Sequence, residues 1–336
     1  MRRTLRLVAL LVLGALLLAL AFVAVQFNRH PSLEPYRALE LPPASSATPP
    51  GTVRVRFGGV TTLLFDDGET AWMTDGFFSR PGAWKTLTSP IGPDHARIEA
   101  GLRRMGVTRL AAVVPVHSHY DHAMDAPIVA QRTGARLIGS PSTLHVGRGL
   151  GLRPEQMLMV GGGQEVRLGK FNLRFIPSRH SPTPYSDGHT AEIIEADLVP
   201  PRRVSAWREG RVWSLHVRHD SGPTWLVQGS AGFLPGALEA LRADTVFLGT
   251  GTLGRKPEAY RAAYWKETVQ AVGARQVIPI HWDNFWRPLD EPLQAMPLLL
   301  DDFGAAMQDL QARAAPGGVQ VRMPPLFVPF VAQPAP

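Results

Sequence analysis

The chain has 336 residues, enough for one large domain or two small ones, and its 45% hydrophobic residues exclude a disordered chain without a core. Its formal net charge is +7, but no short block of the chain beyond the first residues is strongly basic, so nucleic-acid binding is not expected. The absence of cysteine excludes disulfides, thiolate ligands and a lipoprotein anchor, and any bound metal must be held by nitrogen and oxygen atoms.

The N-terminus predicts one membrane-spanning helix. Residues 7–27 carry no charge and form an apolar run long enough to cross a hydrocarbon core. Three arginines precede the run, which favours a cytoplasmic N-terminus and a body on the extracytoplasmic side of the cell membrane. A cleaved signal peptide is the alternative, because "ALA" at 19–21 resembles a cleavage site. The run continues past that site, so we expect residues 1–27 to be a retained single-pass anchor.

Residues 28–50 are rich in Pro, Ser and Ala and predict a linker between the membrane and a domain over 51–336. The domain begins with a predicted β-meander and continues with alternating helices and strands, and its second half repeats this order. Helical spacing is found at 94–105, and a further helix is predicted at 236–243. This order predicts an α/β fold in which two similar sheets pack face to face with helices outside.

The stretch "VVPVHSHYDHAMD", residues 113–125, places three histidines and two aspartates after an apolar run of strand length. His117 and His119 are two residues apart at the strand end, so both side chains can lean the same way. Asp121 and His122 follow in a tight turn and can face a neighbouring point. Imidazole and carboxylate without sulfur suit Zn²⁺, and also Fe or Mn.

A metal needs three or four ligands, so further ligands must come from elsewhere in the chain. Two later apolar strands end on histidines, "IPSRHSP" on His180 and "IPIHWDN" on His281. With these residues the chain resembles the metallo-β-lactamase-fold hydrolases, whose H-x-H-x-D-H signature is matched by "HSHYDH". The resemblance runs from about residue 52 to about 290. "IPIHWDNF" looks similar to the ascorbate-phosphate-lactonase-like and N-acyl-phosphatidylethanolamine phospholipase-like branch.

The resemblance implies a four-layer αββα sandwich and a site for one or two zinc ions. One ion would be held by His117, His119 and His180, and the other by Asp121, His122 and His281. A hydroxide activated by the metal, and oriented by Asp121, would attack a carbonyl carbon or a phosphorus atom. Asp75 in "TAWMTDG" resembles the aspartate that ends an early strand of the family, and it would either support the ligands from behind or cap the end of its strand.

One position departs from the family pattern. An aspartate usually bridges the two metals there, whereas "LVQGSAGF" places Ser230 at that position. A neutral hydroxyl is a poor bridging ligand, so the affinity for the second metal should fall. Three interpretations remain open: a weaker dinuclear site, a site with one tightly held metal, and a protein without catalysis.

Other residues have two interpretations each. His189 is a candidate catalytic proton donor to a leaving group, or a surface histidine. Trp282, with the aromatic residues that follow it, forms the wall of an apolar substrate cleft or packs in the core. His216 and His219 flank a predicted hairpin turn and are expected to be structural.

The sequence therefore predicts a membrane-anchored, metal-dependent hydrolase of an ester, lactone or phosphodiester. Its position at a membrane and its positive charge favour a lipid-like or anionic small molecule as substrate. The alternative from another class is a non-catalytic binding or scaffold protein in which the metal only stabilises the fold. Metal-dependent turnover separates the two.

Overall fold

The computed structural model describes residues 2–45, 49, 51–183 and 193–334. Its first element is the long apolar helix α1 (Arg2–Phe27), whose most apolar stretch is not buried against the rest of the chain. By length and composition α1 can cross a membrane, a property that a signal sequence shares. The choice between a retained anchor and a cleaved segment therefore remains a prediction.

The residues that follow α1 pack along the body of the protein. A short 3₁₀ helix spans Glu34–Leu39, and the ring of Tyr36 meets that of Phe303 edge to face at 5.5 Å. Leu41 is buried, and its backbone N–H donates to the carbonyl of Met323 at 2.9 Å. The composition of residues 28–50 predicts a linker, yet in its described part this segment is fastened to the domain by contacts.

The first sheet contains six strands that lie side by side in chain order. The first three pair antiparallel as a meander, and the next three add in parallel. The strands are β1 (Arg54–Phe57), β2 (Leu63–Asp66), β3 (Ala71–Thr74), β4 (Ala112–Val114), β5 (Arg136–Gly139) and β6 (Met157–Met159).

The second sheet has seven strands and the same plan of a meander followed by parallel strands. Its strands are β7 (Glu165–Leu168), β8 (Phe171–Pro177), β9 (Trp213–His219), β10 (Thr224–Gln228), β11 (Thr245–Gly249), β12 (Gln276–Ile280) and β13 (Gln320–Val321). The two halves of the chain thus form one sheet each, as the repeated order of elements predicts.

The helices of the domain lie outside the two sheets and complete four layers, which confirms the predicted αββα architecture. They are α2 (Ala83–Thr88), α3 (His95–Arg104), α4 (Tyr120–Ala123), α5 (Ala126–Thr133), α6 (Pro141–Gly149), α7 (Glu258–Trp265) and α8 (Phe303–Ala314). Local signals set their ends: Asp94 caps α3 by accepting from the N–H of Arg97, and Gly134 ends α5 in a left-handed conformation.

Alternating side chains on the strands divide the core into layers. On β2, Phe65 points between the sheets, where its ring meets Trp225 at 5.6 Å and Phe247 at 5.7 Å. Its neighbour Leu64 belongs instead to the cluster between the first sheet and α3 and α5. Large aromatic residues therefore hold the two sheets together, and helices cover their outer faces.

The C-terminal segment, residues 322–334, contacts both sheets. Phe330, fully buried, exchanges backbone hydrogen bonds with Val55 on edge strand β1. Two residues later, the carbonyl of Ala332 accepts a hydrogen bond from the indole N–H of Trp225 on β10. This segment therefore contacts strands of both sheets.

The helix predicted at 236–243 is absent from the structure. Residues 235–240 form turns, in which Ala237 N–H donates to the carbonyl of Leu234. Gly236 has a φ of +75°, which lies outside the right-handed helical region. The prediction was wrong because "GALEALRA" has the apolar spacing of a helix while its first residue takes a conformation that breaks one.

Candidate metal centre

The predicted ligands meet where strands of the two sheets end. His117 follows β4, His180 follows β8, and His281 comes directly after β12. Asp121 and His122 lie on the short helix α4, which continues the same loop. Three separate strand ends therefore deliver one cluster, because the carboxyl ends of these strands reach the same edge of the sandwich.

The six residues form two adjoining groups. In each group the ligand atoms lie within 4.8 Å of one another; one group is His117, His119 and His180, and the other is Asp121, His122 and His281. The rings of His117 and His122 are 3.9 Å apart between centroids, so the groups touch. These are the two sets that the family resemblance implies.

Hydrogen bonds on the outer nitrogens orient two of the histidine rings. Nδ1 of His122 lies 2.7 Å from a carboxylate oxygen of Asp75, and Nδ1 of His180 lies 2.8 Å from the carbonyl of Ser181. Both partners accept hydrogen bonds, so each Nδ1 carries the proton and each Nε2 presents a lone pair. Such bonds behind a ligand fix its tautomer and raise its basicity.

The inner nitrogens converge as they would around an ion. Nε2 of His117 is 3.0 Å from Nδ1 of His119, and Nε2 of His281 is 3.2 Å from Nε2 of His122. The carboxylate of Asp121 reaches within 3.5 Å of Nε2 of both His122 and His281. Five imidazoles and one carboxylate suit Zn²⁺, Fe or Mn, so the residues fit the metal that the resemblance implies.

Burial and neighbouring charges together set the protonation of these groups. Burial lowers the pKa of His119 to about 4 and that of His180 to about 3, and it lowers the pKa of His117 as well. Burial alone would raise the pKa of Asp121, but His122 and His281 outweigh it and hold that pKa below the usual value. At His122, burial alone would lower the pKa, but Asp121 and Asp75 outweigh it and raise that pKa, so metal binding there displaces a proton. Neutral imidazoles and an ionised carboxylate are the forms that bind metal.

Asp75 joins the centre to the first sheet. One carboxylate oxygen holds His122 and accepts from the hydroxyl of Thr61, and the other accepts from the N–H of Val116 at 2.9 Å. The side chain is fully buried, and the backbone has a φ of 53°, which is uncommon for a residue other than glycine. Asp75 thus supports a ligand from behind, in the position predicted for it.

We expect Asp75→Asn to reduce metal affinity by about 10- to 100-fold, because the amide cannot orient His122 as a carboxylate does. Metal titration of the purified protein measures the change. Asp67→Asn is the matched control: Asp67 also pairs with a buried histidine, His219, at 3.1 Å, but away from the cluster. Equal losses in the two variants would contradict a role for Asp75 at the metal centre.

A buried ion pair that no sequence pattern predicts supports the loop that carries His281. Asp283 accepts from Nη2 of Arg80 at 2.6 Å and from the N–H of Val60 at 2.7 Å, and all three residues are fully buried. The carbonyl of Val60 in turn accepts from the N–H of His281 at 2.7 Å. Asp283 therefore ties a ligand's backbone to the loop between β1 and β2.

Unusual backbone conformations accumulate around the centre. Among the described residues other than glycine, six have positive φ, and five of them belong to the site or its supports: Val60, Asp75, Arg80, Thr252 and His281. Thr252 reaches the centre through Ser181, whose hydroxyl lies 2.9 Å from its own. Strained conformations of this kind persist where surrounding contacts impose them, and they are typical of functional sites.

Ser230 lies beside the first group of ligands. Its hydroxyl oxygen accepts a hydrogen bond from the N–H of Ser181 at 2.8 Å, directly next to His180. The residue is buried, and its carbonyl accepts from Nε2 of Gln228. At this position the hydroxyl fastens the loop that presents His180.

Two other predictions concern aromatic and histidine side chains. Trp282 is buried in the core, where it stacks on Phe303 at 5.0 Å, as the core-packing interpretation predicts. Phe285 lies near the ligands, with its ring 5.8 Å from that of His281. His189, the proposed proton donor, lies outside the described residues.

His216 and His219 lie on β9, away from the cluster. Nε2 of His216 pairs with the carbonyl of Arg242 at 2.8 Å, and Nε2 of His219 pairs with Asp67. Both are buried and hold neighbouring strands and turns together, as expected for structural histidines.

Comparisons with known proteins show what this chain is similar to. No family model matches the chain. A UPF0173 metal-dependent hydrolase from Myxococcus xanthus is 24% identical over 182 residues, which are 52% of this chain and 57% of that protein, so the match spans little more than half of the relative. Among solved structures, the diiron β-hydroxylase CmlA from Streptomyces venezuelae has a TM-score of 0.51 at 14% identity, over 85% of this chain and 55% of that chain. The metallo-β-lactamase fold protein YhfI from Bacillus subtilis has a TM-score of 0.45 at 13% identity, over 81% and 95%.

Proposed function

We propose that this chain, which has the metallo-β-lactamase fold, is a metal-dependent hydrolase. The observation that carries the proposal is the pair of adjoining ligand groups, one of three histidines and one of an aspartate and two histidines. A structural metal site is normally closed by four protein ligands. Groups of three leave a position open for water or substrate, which is the requirement of a catalytic site.

Each group of ligands would hold one ion. His117, His119 and His180 would hold the first, and His122 and His281 would hold the second together with Asp121. A bound divalent ion supplies a Lewis acid and lowers the pKa of its water towards ~7. Asp121, the ionised carboxylate of the second group, would also accept a hydrogen bond from the attacking water and orient it.

Zinc is the metal we propose, and the substrate class is an ester, lactone or phosphodiester. Each of these has a carbon or phosphorus atom that a metal-activated water attacks, and an oxygen that the metal polarises. Phe285 and Tyr120, whose rings are 6.2 Å apart, would form an apolar edge of the cleft next to His281. That edge suits a substrate with an apolar part.

The test is metal analysis of the purified full chain, followed by assays with a panel of ester, lactone and phosphodiester substrates. We expect stoichiometric zinc and turnover that a chelator abolishes and added zinc restores. Iron or manganese in place of zinc would correct the metal. Bound metal without turnover of any substrate class would favour the non-catalytic scaffold protein.

We expect Ser230→Asp to raise the occupancy of the second ion at limiting zinc. A bridging carboxylate bonds both ions and offsets their mutual repulsion at the ~3.5–4 Å separation of two-metal sites. Titration with zinc, read as metal stoichiometry, compares wild type, Ser230→Asp and the neutral variant Ser230→Asn. If wild type already binds two ions tightly and Ser230→Asp binds no better, another group bridges the ions.

We also propose that the protein is a single-pass membrane protein with its catalytic domain on the extracytoplasmic side. The support is the length and apolarity of α1 together with the arginines before it.

A further inference from the structure

Exposed apolar side chains mark one face of the catalytic domain. Outside α1, the large apolar residues with the greatest exposure include Trp84 at 80% and Leu87 at 63%, both on the short helix α2. Leu299 and Leu300, at 42% and 38%, form a second exposed pair. A single exposed apolar residue is ordinary, but exposed apolar residues that adjoin one another mark an interaction surface.

A chain of contacts connects α2 to the end of α1. Phe27, the last residue of α1, stacks on Trp286 at 5.8 Å between ring centroids. The indole N–H of Trp286 donates to the hydroxyl of Tyr120 at 3.1 Å, and the side chain of Thr86 on α2 is a further partner of that hydroxyl. Thr86 is the buried residue of α2, so Trp84 and Leu87 point away from the body beside the exit of the anchor.

The second exposed pair adjoins the same exit. The carbonyl of Arg29, two residues beyond α1, accepts from the N–H of Leu298 at 2.8 Å. His30 is held in the same way, with its Nδ1 2.8 Å from the carbonyl of Ala295. Leu299 and Leu300 follow directly, so apolar side chains lie on two sides of the point where the chain would leave the membrane.

Exposed cations accompany these apolar residues. Lys85 lies between Trp84 and Thr86 on α2, and Arg29 is exposed at the exit of α1. Arg203 is also exposed and donates to the carbonyl of Thr88, the last residue of α2, at 3.4 Å. Tryptophan and leucine flanked by lysine and arginine match the boundary between acyl chains and anionic headgroups.

We propose that α2, with Trp84, Lys85 and Leu87, is a second membrane contact of this protein and rests on the surface of an anionic phospholipid bilayer. The exposed side chains of α2 are continuous with α1 and with Leu299 and Leu300, so the domain would lie against the bilayer at a fixed orientation.

Phe285, which borders His281, also packs against Trp286 with ring centroids 5.4 Å apart. The apolar edge of the metal centre therefore faces the membrane, and amphiphilic substrates can enter from it. The proposal rests on the membrane anchor of the proposed function and is independent of hydrolysis.

The absence of cysteine from the chain allows a direct test on the full-length protein. Single cysteines replace Leu87 on α2, Leu13 in the anchor, and Met159, which is 59% exposed on edge strand β6. Each variant is labelled with an environment-sensitive fluorophore and reconstituted in vesicles of phosphatidylcholine and phosphatidylglycerol, with and without nitroxide-bearing lipids. Because interfacial helices bury their apolar face ~5–10 Å below the headgroups, the nitroxide should quench the Leu87→Cys label at least about twofold.

We expect strong quenching at Leu13→Cys, clear quenching at Leu87→Cys and none at Met159→Cys. A label at Leu299→Cys should follow Leu87→Cys, which checks the continuity of the surface. Quenching at Leu13→Cys with a Leu87→Cys signal like that of Met159→Cys would overturn the proposal and leave the anchor intact. If Leu13→Cys also escapes quenching, both the anchor and the proposal fail, whereas neither result bears on metal-dependent turnover.

Discussion

His117→Ala is expected to remove bound metal and activity together. His117 is fully buried, its Nε2 faces His119, and its ring adjoins those of His122 and His180, so it contacts both ligand groups. Loss of a ligand should exceed the ~10- to 100-fold effect of removing a supporting residue, so we expect a fall in metal affinity of more than about 100-fold. Metal content and turnover of the same preparation measure the two effects.

His216→Ala is the control for this result. It removes an equally large, buried imidazole from β9, where the side chain pairs with the carbonyl of Arg242. We expect a lower melting temperature, with metal content and turnover per folded molecule retained. If His216→Ala lost metal as severely as His117→Ala, the set of ligands proposed for this site would be wrong.

Asp283→Asn is expected to destabilise the whole domain by about 3–5 kcal/mol, because it leaves the Arg80 cation buried without its counter-charge. Nε and Nη1 of Arg80 have no hydrogen-bond partner among the described residues, so the Asp283 contact is its main compensation. Chemical denaturation of wild type and variant gives the difference in the free energy of unfolding. We also expect weaker metal binding, since the buried ion pair that supports the loop of His281 is lost.

Two further variants separate charge burial from the mere loss of an ion pair. Glu99→Gln breaks the exposed pair between Glu99 and Arg132, and it should cost less than about 1 kcal/mol. The double variant Arg80→Met with Asp283→Leu removes both buried charges and should recover much of the stability lost in Asp283→Asn. A double variant less stable than Asp283→Asn would show that the pair itself, and not the stranded cation, determines the stability.

Much of the architecture and of the cluster was predictable because the signals are local. A continuous apolar run followed by "HSHYDH" identifies both the buried strand β4 and the residues at its end. His180 and His281 are recognisable by the same pattern, an apolar strand that ends on histidine. The order of strands and helices in the two halves was sufficient for the four layers, since amphipathic elements have few ways to bury their apolar sides.

The rest depends on contacts between residues far apart in sequence. No local pattern pairs Arg80 with Asp283, which are 203 residues apart, and only the fold shows that both are buried. The sequence left Trp282 open between a cleft wall and core packing, and only the fold shows that it lies in the core against Phe303. The composition of residues 28–45 likewise gives no sign that partners in the C-terminal part hold them in place.

The C-terminal segment determines when a nascent chain can finish folding. Edge strand β1 obtains its contact with Phe330 only after the long intervening part of the chain has been synthesised. The hydrogen bond from the side chain of Arg322 to the carbonyl of Glu40 also forms late, because the two residues are 282 positions apart. Closing such long loops is slow, and until it happens β1 presents unpaired backbone groups that other chains can pair with. The interval between synthesis of β1 and arrival of the C-terminal segment is therefore the period in which this protein is most prone to aggregate.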